Sequence, residues 1–208
     1  MKYESTKVYG NDRGLSCCFR QWRSNHSHCA TLHGYSIGMK LVFETEILDD
    51  RNWVYDFGNL AAFKAWADYM FDHTTIVAQD DPHLETFKEL ANTVTIGKNY
   101  DHTSHVPHEV GSVIDLRIVP GVGCEKFAEL AFYQMKEILS NFKNDEEYIL
   151  LADAGVGGIY DPTATSKTPI KEIKTFKSRY QVGDGVRLKS VEVFEHAGNS
   201  AICYNPYL

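Results

Sequence analysis

The sequence predicts an α+β fold, with paired antiparallel strands near its two ends and two amphipathic helices between them. Three observations carry that expectation. Ile37, Met39, Leu41 and Phe43 alternate with Gly38, Lys40 and Val42, the period of a half-buried strand. Leu60, Phe63, Trp66, Ala67 and Met70 recur at helical spacing, and Phe127, Ala131, Met135, Ile138 and Phe142 form a second helical stripe. No internal repeat of the kind that marks a solenoid is present.

Taken in order, a strand over residues 14–19 is expected to pair with the 37–43 strand across a His-rich connection from Arg20 to Leu32. Asp49 to Asn52 reads as a turn and Trp53 to Phe57 as a short extended piece. The first helix then runs to about Phe71-Asp72-His73. Ile114, Leu116 and Ile118 alternate with Asp115 and Arg117, giving a further strand. The second helix covers about 125–142, and Glu125 in its first turn suits the helix dipole. Asn99 to Gly111, with His102, His105 and His108, reads as a solvated loop. Ala152 to Gly185 is rich in Gly, Thr, Pro and Lys and reads as loop with at most one short helix. Strand-like Leu188 to Glu195, a turn at 196–199 and Ser200 to Tyr204 close the chain as a hairpin. The whole is expected to be a single domain with insertions at about 79–118 and 150–186.

The 208 residues are 43% hydrophobic and 24% charged, ordinary for a globular protein and enough to bury a core. A formal net charge of -7 gives no footprint for a nucleic-acid backbone, so no nucleic-acid partner is expected. No apolar run approaches the ~18–20 residues of a membrane span, and the first residues lack the apolar core of a signal peptide. Five irregularly spaced cysteines suit reduced thiols better than a disulfide framework, so a cytoplasmic location is expected.

The densest chemistry lies in His28-Cys29-Ala-Thr-Leu-His33-Gly34-Tyr35. A thiol, two imidazoles and a phenol fall within eight residues, and these are groups that move protons near neutral pH or bind soft metals. Arg20, Trp22 and Arg23 stand just before it. They suit either a phosphate grip or an exposed hairpin face.

These residues resemble the 6-pyruvoyl-tetrahydropterin synthase and 6-carboxytetrahydropterin synthase family. Cys29-Ala-Thr-Leu-His33-Gly-Tyr35 resembles its Cys-x-x-x-His-Gly-His. Asn52-Trp-Val-Tyr-Asp56-Phe57-Gly-Asn-Leu60 resembles the Gly-x-(Val/Ile)-x-Asp-Phe-x-x-Leu that opens its first helix. Phe71-Asp72-His73 is similar to the Leu-Asp-His at that helix's end, and Val193-Phe-Glu195 to its Val-x-Glu-Thr. Gly123-Cys124-Glu125-Lys-Phe-Ala128 is a fainter likeness to Pro-Thr-x-Glu-Asn-x-Ala.

The resemblance implies the tunnelling fold, or T-fold. This is a four-stranded antiparallel sheet backed by two helices, assembled into homo-oligomeric barrels, often trimers stacked as hexamers, with active sites between subunits. It implies Cys29 as a catalytic proton carrier, Asp72 and His73 as a second relay, and Glu195 with Glu125 as residues that hold a pterin. A carboxylate pairs bidentately with the N–H groups of a 2-aminopyrimidinone. The family also binds zinc through three histidines. Only His33 matches one of them, because Phe19 and Tyr35 stand at the other positions; His26 and His28 from the adjoining loop, along with Cys17 or Cys18, are candidate replacement ligands.

The implied activity is that of a lyase like 6-carboxytetrahydropterin synthase, acting on 7,8-dihydroneopterin triphosphate on the way to 7-deazaguanine compounds such as queuosine. Two alternatives stand beside it. One is a zinc-independent pterin aldolase or epimerase, and the other is a non-catalytic T-fold binding or assembly protein.

Overall fold

The computed structural model describes the backbone of residues 1–98, 107–152, 172–196 and 198–207, and their side chains except within 94–112 and 151–173. Its elements are β1 (Tyr3–Tyr9), β2 (Leu15–Phe19), β3 (His33–Thr45), α1 (Ala61–Phe71), β4 (Thr74–Ala78), α2 (Leu84–Asn92), β5 (Val94–Lys98), β6 (Pro107–Ser112), β7 (Leu116–Val119), α3 (Cys124–Lys143), β8 (Tyr148–Ala152), β9 (Glu172–Phe176), β10 (Arg187–His196) and β11 (Asn199–Tyr204). The fold is α+β, as the alternation and helical stripes predict.

The long strand β3 organises the molecule. Its first half pairs antiparallel with β2 and its second half with β1, while β10 runs antiparallel along its other side and β11 follows β10. The expected strands β2, β3, β10 and β11 are thus consecutive in one sheet, and the strand expected around Ile114 to Ile118 is found in the same sheet as β7. That sheet extends further than expected, to seven strands in all. β1 is added at one flank, and β4 and β7 join beyond β2 in parallel. Among the described residues the sheet is open and does not close into a barrel.

Side chains at the odd positions of β3 (Ile37, Met39, Leu41 and Phe43) are all fully buried, as period-two alternation demands. They face α1 and α3, whose predicted stripes are buried in full. Phe127 in the first turn of α3 meets Phe19 edge-on at 5.0 Å and Phe71 at 5.3 Å, joining β2, α1 and α3 in one aromatic cluster. On the other face of the sheet, Gly38 lies beneath the Phe194 ring, where a Cβ would come within 2.1 Å of ring carbon. Only glycine fits there.

The insertions carry more structure than their composition suggests. Residues 107–111, read as part of a solvated loop, belong to β6, which pairs with β5. His102 and His105 lie outside the described residues, as does the side chain of His108. In the second insertion β9 pairs with β8 as a strand, not as a helix, and residues 153–171 lie outside the described residues. Among the described residues no helix is long and apolar enough to cross a membrane.

Candidate active site

The connection from Arg20 to Leu32 is pinned at its neck. The Gln21 amide donates to the Cys29 carbonyl at 2.7 Å, so the two sides of the loop are tied together. Arg20 grips Asp81 with two bonds of 2.8 and 2.9 Å and reaches the Ala30 carbonyl at 3.3 Å. Within the loop Ser27 caps a short turn, His28–Ala30, by accepting from the Cys29 amide. Cys29 is therefore held at the top of a folded turn and half-exposed.

The register of β2 on β3 sets what stands beside it. Phe19 is the partner of His33 and Cys17 the partner of Tyr35, and directly opposed residues share a face. Phe19 stacks on Tyr35 at 4.7 Å between ring centroids, and His33 lies 4.7 Å from Tyr35. The His33 Nδ1 sits 2.6 Å from the Thr31 carbonyl, so Nδ1 carries the proton and donates it. Its Nε2 then presents a lone pair, and the Tyr35 hydroxyl donates to it.

Glu195 enters from the end of β10. It follows Val191 and Val193, both fully buried, on the same face of the strand, as the sequence implies. The β10–β11 register slips between Phe194 and His196, a bulge of the sort that re-aims a side chain. The Asn11 side-chain amide fastens this bulge by donating to the Glu195 carbonyl at 3.0 Å and to the Ser36 carbonyl at 2.5 Å. The Cys124 thiol at the start of α3 faces the Glu195 carboxylate. Burial first, then the charges of Glu195 and Glu125 and the bond to Glu195, push that thiol up to about 12.

Tyr35 is likewise raised to about 12, by burial first and then by the charges of Glu195, Cys29 and Cys124. The phenol therefore lies within electrostatic reach of a loop, the end of a strand and the start of a helix. Gly123, with φ +108°, allows α3 to begin here, since a Cβ would come within 2.6 Å of the Gln21 amide nitrogen and 3.6 Å of a Glu125 carboxylate oxygen. Cys29, Glu195, His33 and Glu125 thus gather at one end of β3. Gln21, Cys124 and Asn11 belong to the same assembly. Sequence reasoning missed all three; Cys124, adjoining the expected Glu125, had the nearest thing to a signal.

Asp72 and His73 stand apart. Asp72 ends α1, and His73 takes a left-handed backbone, φ 57°, an uncommon state for a residue with a Cβ. Its amide donates to the Ser16 carbonyl at 2.7 Å. Its Nδ1 lies 2.5 Å from an Asp72 carboxylate oxygen with the ring side chain 86% exposed, so the Nε2 edge is offered to solvent. Among the described residues, the hydrogen bonds of this pair do not reach Cys29, Tyr35 or Glu195.

The donor set does not fit a three-histidine zinc site. Zinc takes about four Cys, His or carboxylate donors, three of them protein side chains in catalytic sites. Here Phe19 offers only carbon, the His33 Nε2 is committed to the Tyr35 hydroxyl, and the exposed His28 ring lies 6.0 Å from the His33 ring. Among the described residues no three His, Cys, Asp or Glu side chains converge as a metal cluster. The arginines of the loop are also engaged. Arg20 holds Asp81, and Arg23 with the Trp22 indole N–H holds Asp80 below the usual carboxylate range. For Asp81 burial works upward, yet the Arg20 and His83 amide bonds outweigh it and the carboxyl is lowered.

A family model described as 6-pyruvoyl tetrahydropterin synthase matches residues 11–151. No curated protein sequence matches the chain. Among solved structures, an uncharacterized protein from Wolinella succinogenes is 17% identical with a TM-score of 0.59, covering 99% of each chain. The 6-pyruvoyltetrahydropterin synthase of Plasmodium vivax, in a form with a catalytic residue mutated, is 12% identical with a TM-score of 0.52 over 99% of this chain and 98% of that one. The Plasmodium falciparum enzyme gives 12% and 0.52 over 98% of each. At these identities the likeness is one of fold.

Proposed function

The chain belongs to the 6-pyruvoyl tetrahydropterin synthase family, and from that premise we propose that it is a pterin-processing lyase that cleaves or rearranges the side chain of a 7,8-dihydropterin by proton transfer. One observation carries the reading: the Gln21 amide is bonded to the Cys29 carbonyl at 2.7 Å, the Gln21 side chain packs against Gly123, and the next residue, Cys124, is bonded to Glu195. A carboxylate able to hold an aminopyrimidinone and a thiol able to move a carbon-bound proton therefore border one spot, though 166 residues separate them (195 − 29).

Glu195, steadied by Asn11 and Cys124, binds the pterin ring in this scheme. Cys29 moves the proton on the side-chain carbon. His73, oriented by Asp72, moves a second proton. Its exposure and its separation from Cys29 within one chain favour a centre completed by a second copy, in a homo-oligomer built on trimers. The free flanks of β1 and β11 in the open sheet suit such assembly. The five unpaired thiols suit a reducing compartment.

Within this class, the first reading is 6-carboxytetrahydropterin synthase-like action on 7,8-dihydroneopterin triphosphate, leading to 7-deazaguanine compounds. The second is aldol cleavage or epimerisation of an unphosphorylated pterin side chain. It is favoured by the pairing of Arg20 and Arg23 with carboxylates, which leaves those guanidiniums engaged instead of open to a triphosphate. Incubation of the protein with 7,8-dihydroneopterin triphosphate, and separately with 7,8-dihydroneopterin, separates the two by product mass, with chromatography to detect an epimer of unchanged mass. A 6-carboxy product from the triphosphate supports the first. Glycolaldehyde with a 6-hydroxymethyl product from the unphosphorylated compound supports the second. If neither compound binds or turns over, the lyase reading is lost and a binding or assembly role takes its place.

A further inference from the structure

We infer that Phe19 and Tyr35 close the position of the family's zinc with an aromatic, hydrogen-bonded plug, so that this chain folds and binds its pterin without a metal. The inference rests on reading this cluster as the pterin site, and it concerns two side chains that depart from the family's pattern.

Three rings from two adjacent strands converge on one point. Phe19, His33 and Tyr35 lie on one face, as the β2–β3 register requires, with centroids 4.7 Å apart for Phe19–Tyr35 and for His33–Tyr35, and 6.3 Å for Phe19–His33. Imidazoles on this backbone would point at a shared centre. The side chains present fill that centre instead. Phe19 is 1% exposed and locked against Phe127, so no water or ion shares its side of the cluster. His33, the remaining imidazole, has both nitrogens spoken for, Nδ1 by the Thr31 carbonyl and Nε2 by the Tyr35 hydroxyl.

Binding a metal at His33 requires breaking the Tyr35 bond and yields a single imidazole donor. Even with His28, whose ring centroid lies 6.0 Å from that of His33, the imidazoles number two and not three, and Phe19 offers no donor. The plug also replaces what a metal contributes to structure. A zinc ion ties its ligands together; here the contacts of the Phe19 ring with His33 and Tyr35 tie β2 to the first residues of β3.

The test is metal uptake, read independently of activity. Wild-type protein is equilibrated with excess zinc, desalted and analysed for metal, with cobalt(II) absorption as a second readout. The expected result is no stoichiometric metal and no tetrahedral cobalt spectrum. One zinc per chain in wild type, lost in His33→Ala, overturns the inference. The paired variant Phe19→His with Tyr35→His is expected to gain one zinc per chain and a zinc-dependent rise in Tm, because a ligand bound only by the folded state stabilises it. A folded double variant that takes up no metal also overturns it. Should that variant fail to fold, the wild-type measurement still decides.

Pterin binding to chelator-treated wild type is followed by fluorescence in parallel. Zinc uptake together with pterin binding sinks the plug and spares the lyase reading. No zinc and no pterin binding sinks the lyase reading and spares the plug.

Discussion

The two ends of β3 differ in a way that bears on how a site is recognised. The strand is 13 residues long, so its ends lie roughly 40 Å apart at the usual strand rise. A well-enclosed cleft of about 500 Å³ lies at the Thr45 end, walled by Trp53, Tyr55, Tyr180, Val182 and Val186. Its polar groups are largely satisfied within the wall. Arg51 lies over the Tyr180 ring at 4.0 Å and beside Asp49 at 3.5 Å; Asn59 bonds Ser178 and the Arg179 amide. At the His33 end, by contrast, a thiol, a carboxylate, a phenol and an imidazole lie close together. Cavity size and chemical potential part company here. In the homo-oligomer proposed above, the site would be open on the side where its neighbour belongs, so that a single chain shows its reactive groups and not its walls.

Substitutions at the two ends put that contrast at risk. The largest expected effect is on turnover: Cys29→Ala lowers kcat/KM for the pterin substrate by roughly 10²–10⁴-fold, the usual reach of a positioned proton carrier, while Arg51→Ala at the far end leaves it unchanged. Equal losses from both would erase the distinction. Next in size, Phe127→Ala removes the ring that locks Phe19 and Phe71, and costs about 3–5 kcal/mol of stability by denaturant unfolding.

A matched pair of tyrosines gives a finer comparison. Tyr35→Phe loses the bond to His33 and costs about 1 kcal/mol. Tyr55→Phe at the other end removes a buried hydroxyl that lacks a hydrogen-bond partner and is expected to leave stability unchanged or raise it. A Tyr55→Phe protein as destabilised as Tyr35→Phe would show that the far end also depends on hydroxyl bonding.

The smallest effect is on pH dependence. Cys17 and Cys124 rise from 9.0 to about 12, each chiefly by burial, and Tyr35 rises from 10.0 to about 12 for the same leading reason. The folded chain therefore keeps protons that the unfolded chain releases above about pH 9. The stability these groups confer is full below that pH and is lost as pH climbs toward 12. Tm measured across the alkaline range should fall from about pH 9, and less steeply in Cys17→Ala combined with Cys124→Ala.

Strong local periodicity made α1, α3, β2, β3, β10 and β11 readable in the sequence, because each buries one face against the core and its pattern records that face. The strands that went unread have physical excuses. β1 pairs on one side only and alternates Tyr, Ser and Lys with Glu, Thr and Val, which is weak as a hydrophobic signal. β4 is buried at all five positions, so it shows no alternation, and its partners β2 and β7 lie far away in sequence. β9 sits in a Thr- and Lys-rich stretch and owes its form to β8. Within the site, Cys29 and His33 were marked by type and spacing, and Glu195 by the resemblance of Val193-Phe-Glu195 to the family's Val-x-Glu-Thr. Asn11, Gln21 and Cys124 were not, since a hydrogen bond across the fold leaves no mark on local composition.

By itself, then, the sequence determined the α+β class, the helices, the central hairpins and the residues able to do chemistry, because burial patterns and side-chain types are local properties. Only the tertiary structure decided that Tyr35 bonds His33, that Cys124 and Asn11 hold Glu195, that Arg20 and Arg23 are already paired, and that Asp72 and His73 bond each other and, among the described residues, not Cys29. The contacts of Glu195, Arg20 and Arg23 depend on which distant segments the fold brings together, and a hydrogen bond or ion pair forms only where two groups come within about 3 Å in a workable orientation.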